Sequence, residues 1–544
     1  MTTIPNQMKT PTRTKSKHSK TPASADTSRL TIDEIIQQIT PRFSSFHIEE
    51  PKLAFANGEL SVDPKAGLET YGPFGHNPGE SKIVRIGVVG TGDGIQTFLN
   101  FLDRCQQQVS TGLNKRGKPL DPHCFPSFPG CSPDRTFRTR FVADRAVHRR
   151  IISEDRFITA TKVDNEQNRV RAVVDLIVEQ LSALADLDEP PNVVLLVLPK
   201  SVEDTCASIG ASLARQRITL TPEQRFQRKI QNESLSGQTF MDFDFDVPSS
   251  KSEGNEAFFN IHHAIKAHAM KTGLPTQVIW ETTFNETNLA SVAWNLFTAL
   301  YYKAGNSPWR VQALPENTCY VGIAFVKESP KAGADMQTSL AQVFGAGEGI
   351  VLQGEKAVQD KSRDRKPHLS EDGAERLLQR AIELYVKQHN QQPKRVVVHK
   401  TSRYWPEELR GFRKALGAIY QYDFLAIEEM QTRFMRIGKR PVLRGTVVQL
   451  DRRHYLVFGN GYIPYLRAYP GKRLPTPLEI IEHHGDSPAV VVCQELLALT
   501  KLNWNTCSFA SSIPITIRFA RDVGKILCEV PHGVAAETKY RFFM

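Results

Sequence analysis

Three segments of this chain are apolar on both sides of a strand. They are Lys82–Gly90 (KIVRIGVVG), Val193–Leu198 (VVLLVL) and residues 277–280 (QVIW). Alternate strand residues point to opposite faces, so such a segment has no side to offer water. It fits inside a sheet covered on both faces, the setting of parallel strands joined by helices. A helical pattern over 97–107 follows the first segment. Another repeats apolar residues at Phe258, Ile261, Ile265 and Ala269, with Gly273 and Pro275 as its stop. Strands alternating with helices predict an α/β unit with a parallel sheet.

From Cys319 the pattern changes. Short strands at 321–326, 341–344 and 350–353 are separated by turn residues. A helix at 374–388, a strand at 395–399, a helix beginning at Pro406 and a strand at 424–427 follow. Three meandering strands and then helix–strand–helix–strand resembles an RNase H-like fold. A hairpin (443–450 and 454–458) and a helix at 490–499 complete this half. The polar stretch 221–254 reads as a surface insertion.

The chain has 544 residues and 40% hydrophobic content, enough for two or three cored domains. Its net charge of +11 suits a polyanionic partner. Eight cysteines are scattered without a C-x-x-C pair, which argues against a zinc site and fits a reducing cytoplasm. No apolar run approaches the ~20 residues of a membrane span. Residues 1–30 carry six Lys/Arg against one acid and no apolar core segment, so they are expected to form a disordered basic arm rather than a secretory signal.

The most specific signal is a set of four polar residues. His262 and Lys266 lie one helical turn apart and can converge on one ligand. Gln277 follows eleven residues after Lys266, at the start of a buried strand. Lys303 comes twenty-six residues later and closes a helix over 287–303, with Gly305 as its stop. Two ammonium groups, an imidazole and an amide form a donor set for a terminal phosphate.

This spacing resembles the guide-end pocket of Argonaute proteins. Relatives commonly carry Tyr at the place of His262; imidazole also donates to phosphate and stacks on a base. The downstream sequence agrees. Tyr301-Tyr302-Lys303-Ala304-Gly305, Pro308-Trp309 and Val321-Gly322-Ile323 resemble the join of a MID domain to a PIWI domain, and Leu499-Thr500-Lys501-Leu502-Asn503-Trp504-Asn505 with Ile513-Pro514-Ile515-Thr516 is PIWI-like. Residues 50–53 and 63–68 resemble the start of short prokaryotic Argonautes. The resemblance implies a Rossmann-like MID domain followed by an RNase H-like PIWI domain. The expected divisions are the arm at 1–30, a lead-in at 31–80, MID at 81–290 and PIWI at 291–544.

It also implies a function. A small guide RNA would be held by its 5′-phosphate at His262, Lys266, Gln277 and Lys303, and a complementary single-stranded DNA would be its target. A Mg²⁺ ion beside the phosphate would be held by Gln277 and the terminal carboxylate of Met544. A partner subunit with an APAZ region would carry a sirtuin-like, TIR or nuclease effector and act in anti-plasmid and anti-phage defence, as a heterodimer, by abortive infection. Lys501, Asn503 and Asn505 alternate on one side and are expected to face the guide or target backbone; their other role is turn hydrogen bonding.

RNase H-type cleavage needs several carboxylates holding two metal ions ~3.5–4 Å apart. The family's acid positions fall here on Ala324, Thr401 and Arg521. Glu328, four residues past Ala324, is ~13 Å away along a strand and too far to substitute. Glu407 and Glu408 read as helix-start charges, and Glu355 alone holds no metal pair. The expectation is therefore a PIWI domain that binds a duplex without cutting it. Its alternative is a guided endonuclease with acids from unexpected positions. A third reading, a nucleotide-dependent enzyme on the Lys82 strand, is weakened because Gly90-Thr91-Gly92-Asp93-Gly94 lacks the third glycine of the dinucleotide fingerprint. The arginines at 135, 138, 140, 145, 149 and 150 read as a solvated helix face or as phosphate contacts. Tyr404 and Trp405 read as a loop anchor more than a base stack.

Overall fold

In the computed structural model, residues 44–77, 79–80, 82–114, 117–206, 260–327, 337–344, 349–360, 362–364, 366–430, 433–434, 441–471, 474–527, 529–530 and 537–544 are described. The arm at 1–30, the first part of the lead-in at 31–43, the insertion at 221–254, Phe258 and Glu328 lie outside them. Residues 45–544 form one compact unit.

The first half is built on a parallel sheet. Thr139–Val142, Lys82–Gly90, Val193–Leu198 and Thr276–Trp280 lie side by side in that order, and Arg149–Ile151 pairs with the far half of Lys82–Gly90. Every residue of Val193–Leu198 is buried, as its composition demands. Helix Glu166–Ala185 starts on the Asn165 cap and covers one face with a stripe from Val170 to Leu184. Helix Gly92–Arg104 starts earlier than its apolar pattern indicates, because the Thr91 hydroxyl accepts from Gly94 N–H and caps it. The glycines are explained by packing: a Cβ at Gly90 would stand 2.6 Å from the Val197 carbonyl oxygen.

The arginine-rich segment forms strands and a short 3-10 turn rather than a helix. Several of its guanidinium groups bind other parts of the chain. Arg149 donates to the Ala143 carbonyl at 2.7 Å, Arg150 to Ala183 at 3.2 Å, and Arg145 pairs with Glu189.

Helix Leu289–Lys303 is buried on nearly all sides. Such a helix belongs between layers; its first turn contains the expected MID–PIWI division at 290/291. Beyond it lies a large mixed sheet. From Thr446–Asp451 the order runs through His454–Val457, Leu478–Gly485, Gln421–Glu429, Arg395–Lys400, Thr318–Lys327 and Gln337–Phe344 to Ile350–Lys356. The last three of these are the antiparallel meander, and Thr318–Lys327, Arg395–Lys400 and Gln421–Glu429 are mutually parallel. Helices Glu371–His389 and Pro406–Leu416 cover one face, and helices Ala489–Leu499 and Ile515–Leu527 belong to the core on the other. This is the RNase H-like order, with strand Leu478–Gly485 as an element the sequence pattern did not reveal.

Two buried ionic networks pin this half. Arg395 pairs with Asp423 and Glu495. Glu408 is more than a helix-start charge: fully buried, it accepts from the Trp405 and Leu369 backbone N–H groups at 2.8 Å each and from Lys400 Nζ at 2.8 Å. Trp405 stacks on His368 at 3.9 Å with Arg363 over its ring, so it anchors a loop.

Candidate nucleic-acid interface

Helix Ile261–Ala269 begins on Asn260, whose side chain accepts from His262 N–H at 2.8 Å. Ile261, Ala264, Ile265 and Ala267 are buried, which leaves His262 and Lys266 one turn apart on the half-buried side. Gly273 takes the left-handed conformation (φ 67°) and turns the chain into strand Thr276–Trp280. The His262 ring meets Trp280 edge-on, with centroids 5.2 Å apart.

Lys303 arrives on the last turn of its helix and is fully buried. Its ammonium donates to three oxygens: Thr276 O at 2.8 Å, Gln277 Oε1 at 2.6 Å and the main-chain oxygen of Met544 at 2.6 Å. An ammonium has three protons to donate, so all are committed. Lys266 Nζ makes one such bond, to the Phe543 carbonyl at 3.2 Å. The structure therefore brings Lys266, Gln277 and Lys303 together around the last two residues, with His262 beside Lys266. The part played by the Phe543 carbonyl had no sequence signal beyond the apolar character of the final residues.

The socket is strongly desolvated. Burial, followed by repulsion from Lys266, pushes the His262 imidazole down to about 3, so it is neutral near pH 7. Burial brings the Lys266 ammonium down to about 8, with Asp522 opposing the shift. Burial and then Lys266 hold Lys303 well below the ordinary lysine value. Such a cluster gains from an anion that restores its counter-charge. Gln277 Oε1 and the Met544 oxygen, the two ligands expected for Mg²⁺, both accept from Lys303, so an ammonium is the cation they serve here. A divalent ion at those oxygens would stand against it, and this arrangement does not fit a resident metal.

Two of the three degenerate acid positions are adjacent in the fold. Ile323 pairs with Lys400 in the parallel register, which makes Ala324 and Thr401 neighbours at adjacent strand ends. Gly322 lies against helix Ile515–Leu527, where a Cβ would stand 2.1 Å from Thr516 O. His399 Nδ1 is 2.8 Å from Thr516 Oγ1. By strand alternation Ala324 and Thr401 therefore share the face covered by that helix. Arg521, on the same helix, pairs with Glu429 at the end of the third parallel strand. Among the described residues no group of three or more His, Cys, Asp or Glu could hold a metal ion.

The expectation that Lys501, Asn503 and Asn505 share an outward side needs correction. Lys501 is turned inward and buried, donating to Val62 O at 2.6 Å and to Glu50 Oε1 at 2.9 Å. Arg444 also pairs with Glu50, at 2.9 Å. This buried group ties the lead-in segment to the PIWI half, and sequence spacing alone does not reveal it. Asn503 serves its own turn: its side chain accepts from Asn505 N–H at 3.2 Å and reaches Thr506 Oγ1 at 3.5 Å.

Comparison with known proteins gives a consistent result. The Piwi domain family matches residues 259–530. The Argonaute protein of Aquifex aeolicus is 20% identical over 271 residues, covering 49% of this chain and 36% of that protein. Among solved structures, Clostridium butyricum Argonaute bound to a guide DNA and a 19-mer target DNA superposes with a TM-score of 0.58 at 15% identity, over 91% of this chain and 54% of that one. Drosophila Piwi gives a TM-score of 0.52 at 14% identity, over 92% and 56%. This chain thus spans about half the length of these two structures. No helix among the described residues is long and apolar enough to cross a membrane.

Proposed function

The chain belongs to the Piwi domain family, and on that premise we propose that it is a guide-loaded nucleic-acid binding protein of the short Argonaute type. It anchors the 5′-phosphate of a small guide RNA in the socket built by His262, Lys266, Gln277 and Lys303. The observation that carries this reading is the convergence of two buried ammonium groups, an imidazole and an amide in one socket. A terminal phosphate carries close to two charges and three acceptor oxygens, which suits such a set of donors.

Sequence recognition then passes to base pairing between the guide and a complementary single-stranded DNA, while the protein grips backbone and end chemistry. The PIWI half holds the duplex without cutting it, because the three family acid positions carry Ala324, Thr401 and Arg521. A partner subunit with an APAZ region supplies the effector activity, sirtuin-like, TIR or nuclease, in defence against plasmids and phages. This part of the reading is supported by the family resemblance alone.

The test compares 5′-phosphorylated with 5′-hydroxyl RNA of one sequence. The expected result is a clear preference for the phosphorylated end that disappears in Lys266→Ala. Equal affinity of the wild-type protein for both ends overturns the end-binding reading. Mg²⁺-dependent cleavage of a paired target by the purified chain, abolished by an acid-to-amide change, establishes the endonuclease alternative instead. Adding Mg²⁺ in the binding assay checks whether a metal joins the socket on loading.

A further inference from the structure

The large sheet has a polar end opposite the degenerate acid positions. Arg395 and Asp423 stand near the amino ends of their parallel strands, whereas Ala324 and Thr401 lie toward the carboxyl ends of theirs. A cleft of about 730 Å³ opens at the amino end. It lies between the hairpin turn at 451–454 and the turn that leads from strand Leu478–Gly485 into helix Ala489–Leu499. Pockets of roughly 300–1,000 Å³ hold small organic ligands, and a bare inorganic anion would leave most of this one unfilled.

The inner wall of the cleft is fixed by a buried carboxylate. Asp423 accepts from Arg395 Nε, Ser487 Oγ and His483 Nε2 at 2.7 Å each. Gly485 permits this approach, because a Cβ there would stand 2.3 Å from Asp423 Oδ1. His483 is only 3% exposed and still lines the cleft. Its second nitrogen, Nδ1, is 3.4 Å from the Tyr455 hydroxyl, whose one proton already serves the Arg452 carbonyl at 2.5 Å. Burying an ion is costly, so a buried carboxylate that positions two groups at the wall of a cleft points to a use for them. The mouth carries Arg452 and Arg453, and among the described residues neither guanidinium has an acidic partner. Two acids also line the cleft. Asp451 accepts from the Arg453 backbone N–H at 2.8 Å within its own turn, and Asp486 is exposed.

We propose that this cleft binds a small organic phosphate of mononucleotide size, with Arg452 and Arg453 on the phosphate and His483 and Asp486 on the hydroxyl groups of the body. Two guanidinium groups offer planar forks of N–H donors to the phosphate oxygens and stay charged at any working pH. Asp486 opposes the phosphate and, as an acceptor-only group, serves a sugar hydroxyl. Gln449, also in the lining, has both a donor and an acceptor for a ring edge. None of these residues belongs to the guide-end socket, so the inference does not depend on how that socket is used.

The experiment is isothermal titration calorimetry on the full chain carrying Lys266→Ala, which weakens the other candidate phosphate site. The probes are AMP, GMP, CMP and UMP, each titrated singly, with the matching nucleosides and inorganic phosphate as controls. At least one monophosphate should bind saturably, roughly tenfold or more tighter than its nucleoside and than inorganic phosphate. Adding Arg452→Ala with Arg453→Ala, at exposed turn positions, should weaken that monophosphate roughly tenfold or more and leave the thermal midpoint of the free protein unchanged. Arg452→Lys with Arg453→Lys should lose less. Absence of saturable binding by all four monophosphates at millimolar concentration overturns the proposal. Equal affinity for a monophosphate and inorganic phosphate also overturns it, because the body of the ligand would then add nothing. Undiminished binding in the double alanine variant overturns it too, since the phosphate would be held elsewhere.

Discussion

Replacing Lys266 with Ala separates end recognition from general nucleic-acid affinity. Among the described residues the Lys266 ammonium donates one of its three protons, to Phe543 O, which leaves two for a ligand. A hydrogen bond to a charged group contributes about 1.5–3 kcal/mol. Two such bonds are offset by up to ~2 kcal/mol of side-chain ordering. The net loss expected on truncation is therefore about 2 kcal/mol, or roughly thirtyfold in Kd for a 5′-phosphorylated guide. A 5′-hydroxyl guide of the same sequence should lose a few-fold at most, because its backbone contacts lie elsewhere. Fluorescence anisotropy with both guides at fixed salt reads the difference directly. Equal losses on the two guides would refute the assignment and put the phosphate away from this socket.

Lys303→Met removes the ammonium that donates to Thr276 O, Gln277 Oε1 and the Met544 oxygen in a buried setting, and should cost about 2–4 kcal/mol in urea unfolding; a neutral result would mean the three bonds merely offset the burial of the ammonium. Burial pushes the Glu50 carboxyl up, but Arg444 and Lys501 outweigh it and hold it below its ordinary value. A depressed carboxyl stabilises the fold above its unfolded pKa, near ~4.3, and that stabilisation is lost as pH falls through the lower folded value. The gap in urea midpoint between wild type and Glu50→Gln should therefore narrow on acidification, and a constant gap would refute the pairing. Gly322→Ala drives a Cβ to 2.1 Å from the Thr516 carbonyl and should lower the thermal midpoint, by about 1–3 kcal/mol of overpacking, as helix Ile515–Leu527 lifts from the sheet.

The strands at Val193–Leu198 and 277–280 were legible because burial on both faces leaves a composition that has no other use. Lys266 and Gln277 were legible as a set because helix and strand periodicity fix which side each presents. Contacts that close over long distances in the chain were not. The bond from Lys266 to Phe543 spans 277 residues and has no local pattern. Lys501 was misread as outward because an inward lysine is recognisable only from its partner, and Glu50 lies far upstream. The arginine-rich segment was read as a solvated helix face or as phosphate contacts, and neither reading showed its strands because charge density masked the period-two pattern of Thr139–Val142. Glu408 was half-read: its place at a helix start is visible in the sequence, and its full burial against Lys400 and His368 is not.

The saturation of Lys303 has a consequence for how a ligand would be admitted. Its third proton already serves the chain's own Met544 oxygen, so an arriving phosphate faces an incumbent rather than a vacancy. An attached competitor acts at millimolar effective concentration for a short flexible connection. Simple monophosphates in solution would then be poor rivals. An oligonucleotide that also grips the surface along its length would prevail, and loading would then be a swap that releases the Met544 oxygen from Lys303.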